Sequence, residues 1–386
     1  MKLFYKTILL FAFIIAMSAT KAEANTLSDR AEMYLITATP GDELYSIFGH
    51  SAIWVVDPVA GIDNVYNYGT FNFNTPNFYI KFIRGKLHYM LSVGRMDHFL
   101  FEYHMTGRGV VQQKLNLKQN EMQEIFEFLE VNRKPENKEY LYDFFFDNCA
   151  TRIRDVFDDL LQINWHDYPF DFEPKTFREL VKDYVENLPW EHFGIDFLLG
   201  YPVDRIATPY EYMFLPDHMH VAFGNAMRSN GEPLVVSEQQ VLPKKLKDPE
   251  PGLLTPFNVL WALCALFFIG MLYATTRKSL AKSWMFLMGF GGLALLPIFI
   301  FTDHVSFNPN MNFLWAMPLN LFFIFKSGKK WAQKYFKYIT LLTIILAVFF
   351  LWLPQKYNPA VFPVLLMIIM SSAYLAYRNP KQKDKI

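Results

Sequence analysis

Between an apolar N-terminal segment and an apolar C-terminal third, the chain has a single cysteine, Cys149; the only other one is Cys264. Two cysteines exclude a disulfide framework and a multi-cysteine metal site, and Cys149 has no partner on its own side of a membrane. It stands in Tyr142-Asp143-Phe144-Phe145-Phe146-Asp147-Asn148-Cys149-Ala150-Thr151-Arg152. The residues that follow have helical spacing, with Ile153, Val156, Phe157 and Leu160 on one face. The thiol is therefore predicted at a helix start, where free N–H groups and the helix dipole favour thiolate and can hold an oxyanion. Asp147 and Asn148 are both of capping type. This is the equipment of a thiol nucleophile in acyl transfer, and the plain alternative is a buried structural cysteine.

A thiol nucleophile needs a base. The exported part offers His50, His88, His98, His104, His166, His192, His218 and His220. His50 follows Phe48-Gly49 and opens an apolar strand, so its imidazole is expected at a sheet end, on a rigid element. A third group should orient it, and Asn67 is the candidate. With Val56 opposite Val65 in a hairpin, however, His50 falls opposite Phe71, and only a register shift or strand twist brings Asn67 to it. Asn148, Arg152 and Arg154 flank the nucleophile as substrate-binding candidates, the arginines for an anionic head group, and Tyr45 is a candidate oxyanion donor. No His-Glu-x-x-His spacing and no Gly-rich phosphate loop occurs, so neither a metal nor a cofactor is expected.

The elements that position these residues are legible as strands at 52–56 and 65–68, further strands at 87–93 and 109–115, and helices at 118–129 and Cys149–Leu161. They give an α+β domain over 25–230. Residues 1–24 carry Lys2, Lys6, an apolar run over 8–17 and Ala22-Glu23-Ala24, the pattern of a secretory signal cut after Ala24. The stretch 231–256, with five prolines and no apolar period, reads as a linker. Apolar runs then occur at 257–274, 284–301, 311–325, 338–353 and 360–377, read as five membrane helices spanning 257–378 and followed by a cytoplasmic tail, 379–386. Lysines and arginines cluster after the first, third and fifth runs, whereas the loops after the second and fourth carry only Asp303 and Lys356. The positive-inside rule then puts the α+β domain outside and the C-terminus inside.

Charge follows the same division. Of 37 basic and 37 acidic residues, 24 and 35 precede Leu254 and 13 and 2 follow it, so the halves carry −11 and +11. An acidic folded half argues against nucleic-acid partners. At 52% apolar and 19% charged residues, disorder is excluded.

Phe48-Gly49-His50-Ser51, Tyr66-Asn67-Tyr68-Gly69-Thr70-Phe71 and Asp147-Asn148-Cys149-Ala150-Thr151-Arg152 together resemble the extracytoplasmic domain of the Lnb-type lipoprotein N-acyltransferases. The histidine-before-cysteine order is similar to a circularly permuted papain (NlpC/P60-like) arrangement, and the five-helix tail resembles the membrane part of the same group. The resemblance implies a protein of the plasma (inner) membrane whose Cys149, deprotonated by His50, takes an acyl chain from a diacylated lipoprotein and passes it to that lipoprotein's N-terminal amine. A hydrolase of the same fold, acting on cell-wall peptide or lipid, and a non-catalytic envelope receptor are the competing expectations.

Overall fold

Residues 26–161, 163, 165 and 174–378 are described by a computed structural model; the expected signal segment, His166 and the tail 379–386 lie outside them. Alternating apolar positions in the first part of the chain form β1 (Glu32–Ala38), β2 (His50–Asp57), β3 (Ile62–Thr70), β4 (His88–Gly94), β5 (Val110–Leu115) and β6 (Glu139–Leu141). Helices α1 (Phe78–Ile83), α2 (Met96–Met105) and α3 (Gln119–Asn132) lie between strands, and α4 (Cys149–Leu161) follows the last of these. A seventh strand, β7 (Val235–Leu242), completes an antiparallel sheet of order β6-β4-β3-β2-β1-β5-β7. This strand lies inside the expected linker. Its side chains are mostly exposed and it is held by backbone pairing to β5, so no buried face marks it in the sequence.

Both faces of the sheet are covered. Ile125, Phe126 and Leu129 of α3 and Ile153, Val156 and Phe157 of α4 pack with Leu35, Ile53, Val55 and Tyr66. On the opposite face, Met96, Phe99 and Tyr103 of α2 pack on Ile36, Ala38, Ala52 and Val65. The central strand β2 contributes to both cores, which fixes its register and the position of its first residue, His50.

The β2–β3 register differs from the expected one by two residues. Trp54 faces Val65 and Val56 faces Asp63, because the turn closes on Asp57 opposite Ile62. This slides Asn67 toward the histidine end of β2 and keeps its side chain on the same face.

Helices α5 (Phe177–Val185), α6 (Pro189–Leu198), α7 (Pro209–Tyr212) and α8 (Pro216–Asn225) follow. Phe177, Leu180, Tyr212, Phe214 and Leu215 from this region enclose Ile47 and Phe145. The helical C-terminal region consists of α9 (Pro256–Leu272), α10 (Arg277–Phe301), α11 (Asn320–Phe325), α12 (Lys330–Val348) and α13 (Val361–Tyr377). Among the described residues, α10 is the helix that is long and apolar enough to cross a membrane by length and composition.

The run 311–325 is not the single helix expected. It holds a 3-10 turn, Met311–Leu314, and then the short α11. Pro318 interrupts it, since proline has no N–H to give and crowds the preceding turn. Asn310 and Asn312 bind outward, their Nδ2 groups donating to the Leu198 carbonyl (3.0 Å) and the Phe197 carbonyl (2.8 Å). The broken segment is thus where the C-terminal region docks on α6. Asn358 adds a hydrogen bond to buried Asp196 (3.1 Å), which also pairs with Arg178 (3.0 Å).

Candidate active site

The site begins with how α4 starts. Asn148, buried, accepts the Ala150 and Thr151 N–H groups on its Oδ1 (2.8 and 2.9 Å), as an N-cap does. Its Nδ2 donates to the Phe144 and Phe214 carbonyls (2.7 and 2.8 Å). Each polar atom of the side chain is therefore committed to holding the loop, and Asn148 is a cap rather than the substrate contact expected. The loops bearing Cys149 and His50 are stapled together by Phe48 and Phe144, whose rings lie 4.5 Å apart.

Cys149 is the first residue of α4 and only 8% exposed. It packs on Gly69: a Cβ on that glycine would stand 3.3 Å from the Cys149 Cβ. The amides of Ser51, Ala150 and Cys149 itself, with the charge of Arg108, pull the thiol pKa down, but burial outweighs them and leaves it raised. This corrects the expectation of a resting thiolate, because the helix start that supplies the amides also removes the sulfur from water.

His50 precedes the Ser51 whose amide faces the sulfur, and its Nε2 is hydrogen-bonded to the Asn67 Oδ1. The amide oxygen is an acceptor, so Nε2 carries the proton and Nδ1 is left as the basic nitrogen. Burial holds the imidazole down at about 4, against the opposing effect of the hydrogen bond it donates to Asn67 and with help from Arg108. Thiol and imidazole are thus both neutral at rest. They share one corner of the sheet, and no hydrogen bond joins them among the described residues; such contacts commonly tighten only on substrate binding.

The arginines expected to bind substrate are occupied. Arg152 is ion-paired with Asp147 and lies over the Tyr140 ring (4.0 Å). Arg154 is buried, bonds Asp155 (2.7 Å) and the Tyr210 carbonyl (3.2 Å), and lies over the Tyr210 ring (3.9 Å). Tyr45 is 67% exposed on the loop before His50, edge-on to Phe71 and Phe73.

The cation within electrostatic reach of both Cys149 and His50 is Arg108, which the sequence did not single out. Ala38 pairs with both His50 and Val110, so strand register brings the Arg108-Gly109-Val110 turn to the histidine's end of the sheet. Its Nε donates to the Thr39 carbonyl (2.7 Å) and its guanidinium lies over Tyr103 (4.6 Å), while one terminal nitrogen is buried without a partner. A glycine-flanked arginine opening a strand was the only signal available.

A cleft of about 430 Å³ opens behind the loop leading to His50, lined by Asp42, Asp183, Asp217, His218 and Lys247 among others. Ile47, Tyr184, Leu188 and Leu246 share this lining, and the cleft includes neither Cys149 nor His50.

A sheet-rich domain with a buried thiol is docked on a region with a membrane-length apolar helix, and family-model matches make it the extracytoplasmic N-terminal domain of a membrane protein. The chain belongs to the Lnb-type family: residues 19–183 match the Lnb N-terminal periplasmic domain and residues 248–383 the Lnb transmembrane domain. No curated protein and no solved structure matches it.

Proposed function

We propose that this protein is a membrane-bound thiol acyltransferase that moves an acyl chain from a diacylglyceryl-modified lipoprotein to the α-amino group of its N-terminal cysteine. The observation that carries this reading is the corner where Cys149 opens α4 beneath the Ser51 amide, beside His50 held by Asn67. In the first half-reaction His50 Nδ1 takes the thiol proton as the sulfur attacks the ester carbonyl. The oxyanion develops against the amides at the α4 start and in the positive field of Arg108. Collapse expels the glyceryl oxygen, which leaves as an alcohol with the proton from His50, and the acyl group remains on sulfur as a thioester. The amine then attacks the thioester, gives its proton to His50, and leaves as an amide while the thiol is restored.

A membrane-docked site suits two reactants that are both tethered to the bilayer. Family membership supports a lipoprotein-modifying role. Mass spectrometry of lipoprotein N-termini from cells with and without the protein tests the reading: N-acylated lyso forms should depend on it, and free amines in both samples would refute it.

A further inference from the structure

Helix α1 reads Phe-Tyr-Ile-Lys-Phe-Ile and has no buried residue; Tyr79 is 74% exposed and Phe82 48%. An apolar helix this exposed is costly in water. Its surroundings fix its depth. The Thr302 hydroxyl donates to the Ile83 carbonyl (3.0 Å), the Asp303 amide to the Arg84 carbonyl (3.0 Å), and His304 Nε2 to the Phe82 carbonyl (3.0 Å). Lys86 is ion-paired with Asp303. All these partners lie just past Phe301, the end of α10, so α1 sits where that apolar helix leaves the hydrocarbon.

From α1 a row of rings leads inward. Phe78 lies 5.0 Å from Phe73 and 5.7 Å from Phe71, and Phe71 lies 5.1 Å from Tyr89, which stacks on Tyr142 at 4.1 Å. Tyr142 and Cys149 meet at Gly69, where a Cβ would be 3.9 Å from the Tyr142 ring and 3.3 Å from the Cys149 Cβ. Phe82, Tyr89, Tyr142 and His304 line one small cavity, so the α10 end, α1 and the tyrosine pair are contiguous.

We infer that α1 and this aromatic row form the acyl-chain site, which takes a fatty chain of a diacylated lipoprotein from the outer leaflet and lays its ester end beside Cys149. The inference rests on the acyltransferase reading for the identity of the ligand. Of the cations at the mouth, Lys86 is paired with Asp303, whereas Arg84 Nε reaches only the Phe301 carbonyl (3.4 Å) and Lys81 lies in α1 itself, so a phospholipid is the competitor that the test must separate from the lipopeptide.

The test uses the full chain carrying Cys149→Ala, reconstituted in phosphatidylethanolamine vesicles with a synthetic diacylated lipopeptide bearing a diazirine in its acyl chain. Irradiation should label residues 71–89 and Tyr142, and unlabelled lipopeptide should compete. Tyr79→Ser with Phe82→Ser, both exposed and therefore compatible with folding, should lower this labelling about tenfold. Label confined to α9–α13, or label that phospholipid displaces as well as lipopeptide does, would overturn the inference. Labelling needs no chemistry at sulfur. A correctly placed label with no acyl transfer by the unaltered protein would therefore refute the acyltransferase reading alone.

Discussion

At the scale of single residues, burial favours the neutral forms of both members of the proposed pair, Cys149 and His50. The pKa of His50 is about 4 in the folded chain against an ordinary 6.5, so the unfolded chain binds the extra proton first as pH falls. Stability is then fully present above about pH 6.5 and is lost between there and about 4, by up to about 3 kcal/mol. Urea unfolding at a series of pH values should show this slope, and His50→Gln should flatten it; equal slopes would contradict the burial of a neutral imidazole. In the proposed mechanism Asn67 acts through the imidazole, its Oδ1 accepting from Nε2. Asn67→Ala should therefore cost about a hundredfold in kcat with little change in KM, read from steady-state kinetics on a diacylated lipopeptide. A change confined to KM would place Asn67 in binding instead.

At the scale of elements, two glycines let the strands meet the thiol. Gly49 has φ +78° and faces the Ala38 carbonyl, and Gly69 has φ +85° and faces Cys149. A side chain at either is strained by the backbone and crowded by its neighbour. Gly69→Ala should lower stability by about 1–3 kcal/mol and activity more than that loss explains, because the new methyl presses on the Cys149 Cβ; thermal unfolding and kinetics on the same preparation check it.

The helix at Cys149–Leu161 and the strand opened by His50 were legible because their apolar periods are local. The register that joins His50 to Asn67 was not, since the turn between β2 and β3 decides it and a two-residue slip preserves the alternation. Strand β7 was hidden by its exposed polar side chains, and Arg108 by its dependence on pairings of β1 with both β2 and β5. The raised thiol pKa was also out of reach, because burial is a property of the packed core and not of the helix start.

At the scale of the whole molecule, the N-terminal domain is seated on the C-terminal region through Asn310, Asn312 and Asn358, which bind Leu198, Phe197 and Asp196. The charge pattern of the loops predicts that reporters fused after Arg277 or Lys330 are cytoplasmic, and those fused at Asn308 or Asn358 are exported. A cytoplasmic Asn308 would contradict both the alternation expected from the loop charges and the placement of α1 at the outer leaflet. The central claim is the covalent one. Purified protein mixed with a diacylated lipopeptide and quenched early should carry one acyl group on Cys149, removable by hydroxylamine, and later samples should contain N-acyl lyso lipopeptide. Free fatty acid with an unmodified amine, or undiminished transfer by Cys149→Ser, would contradict it.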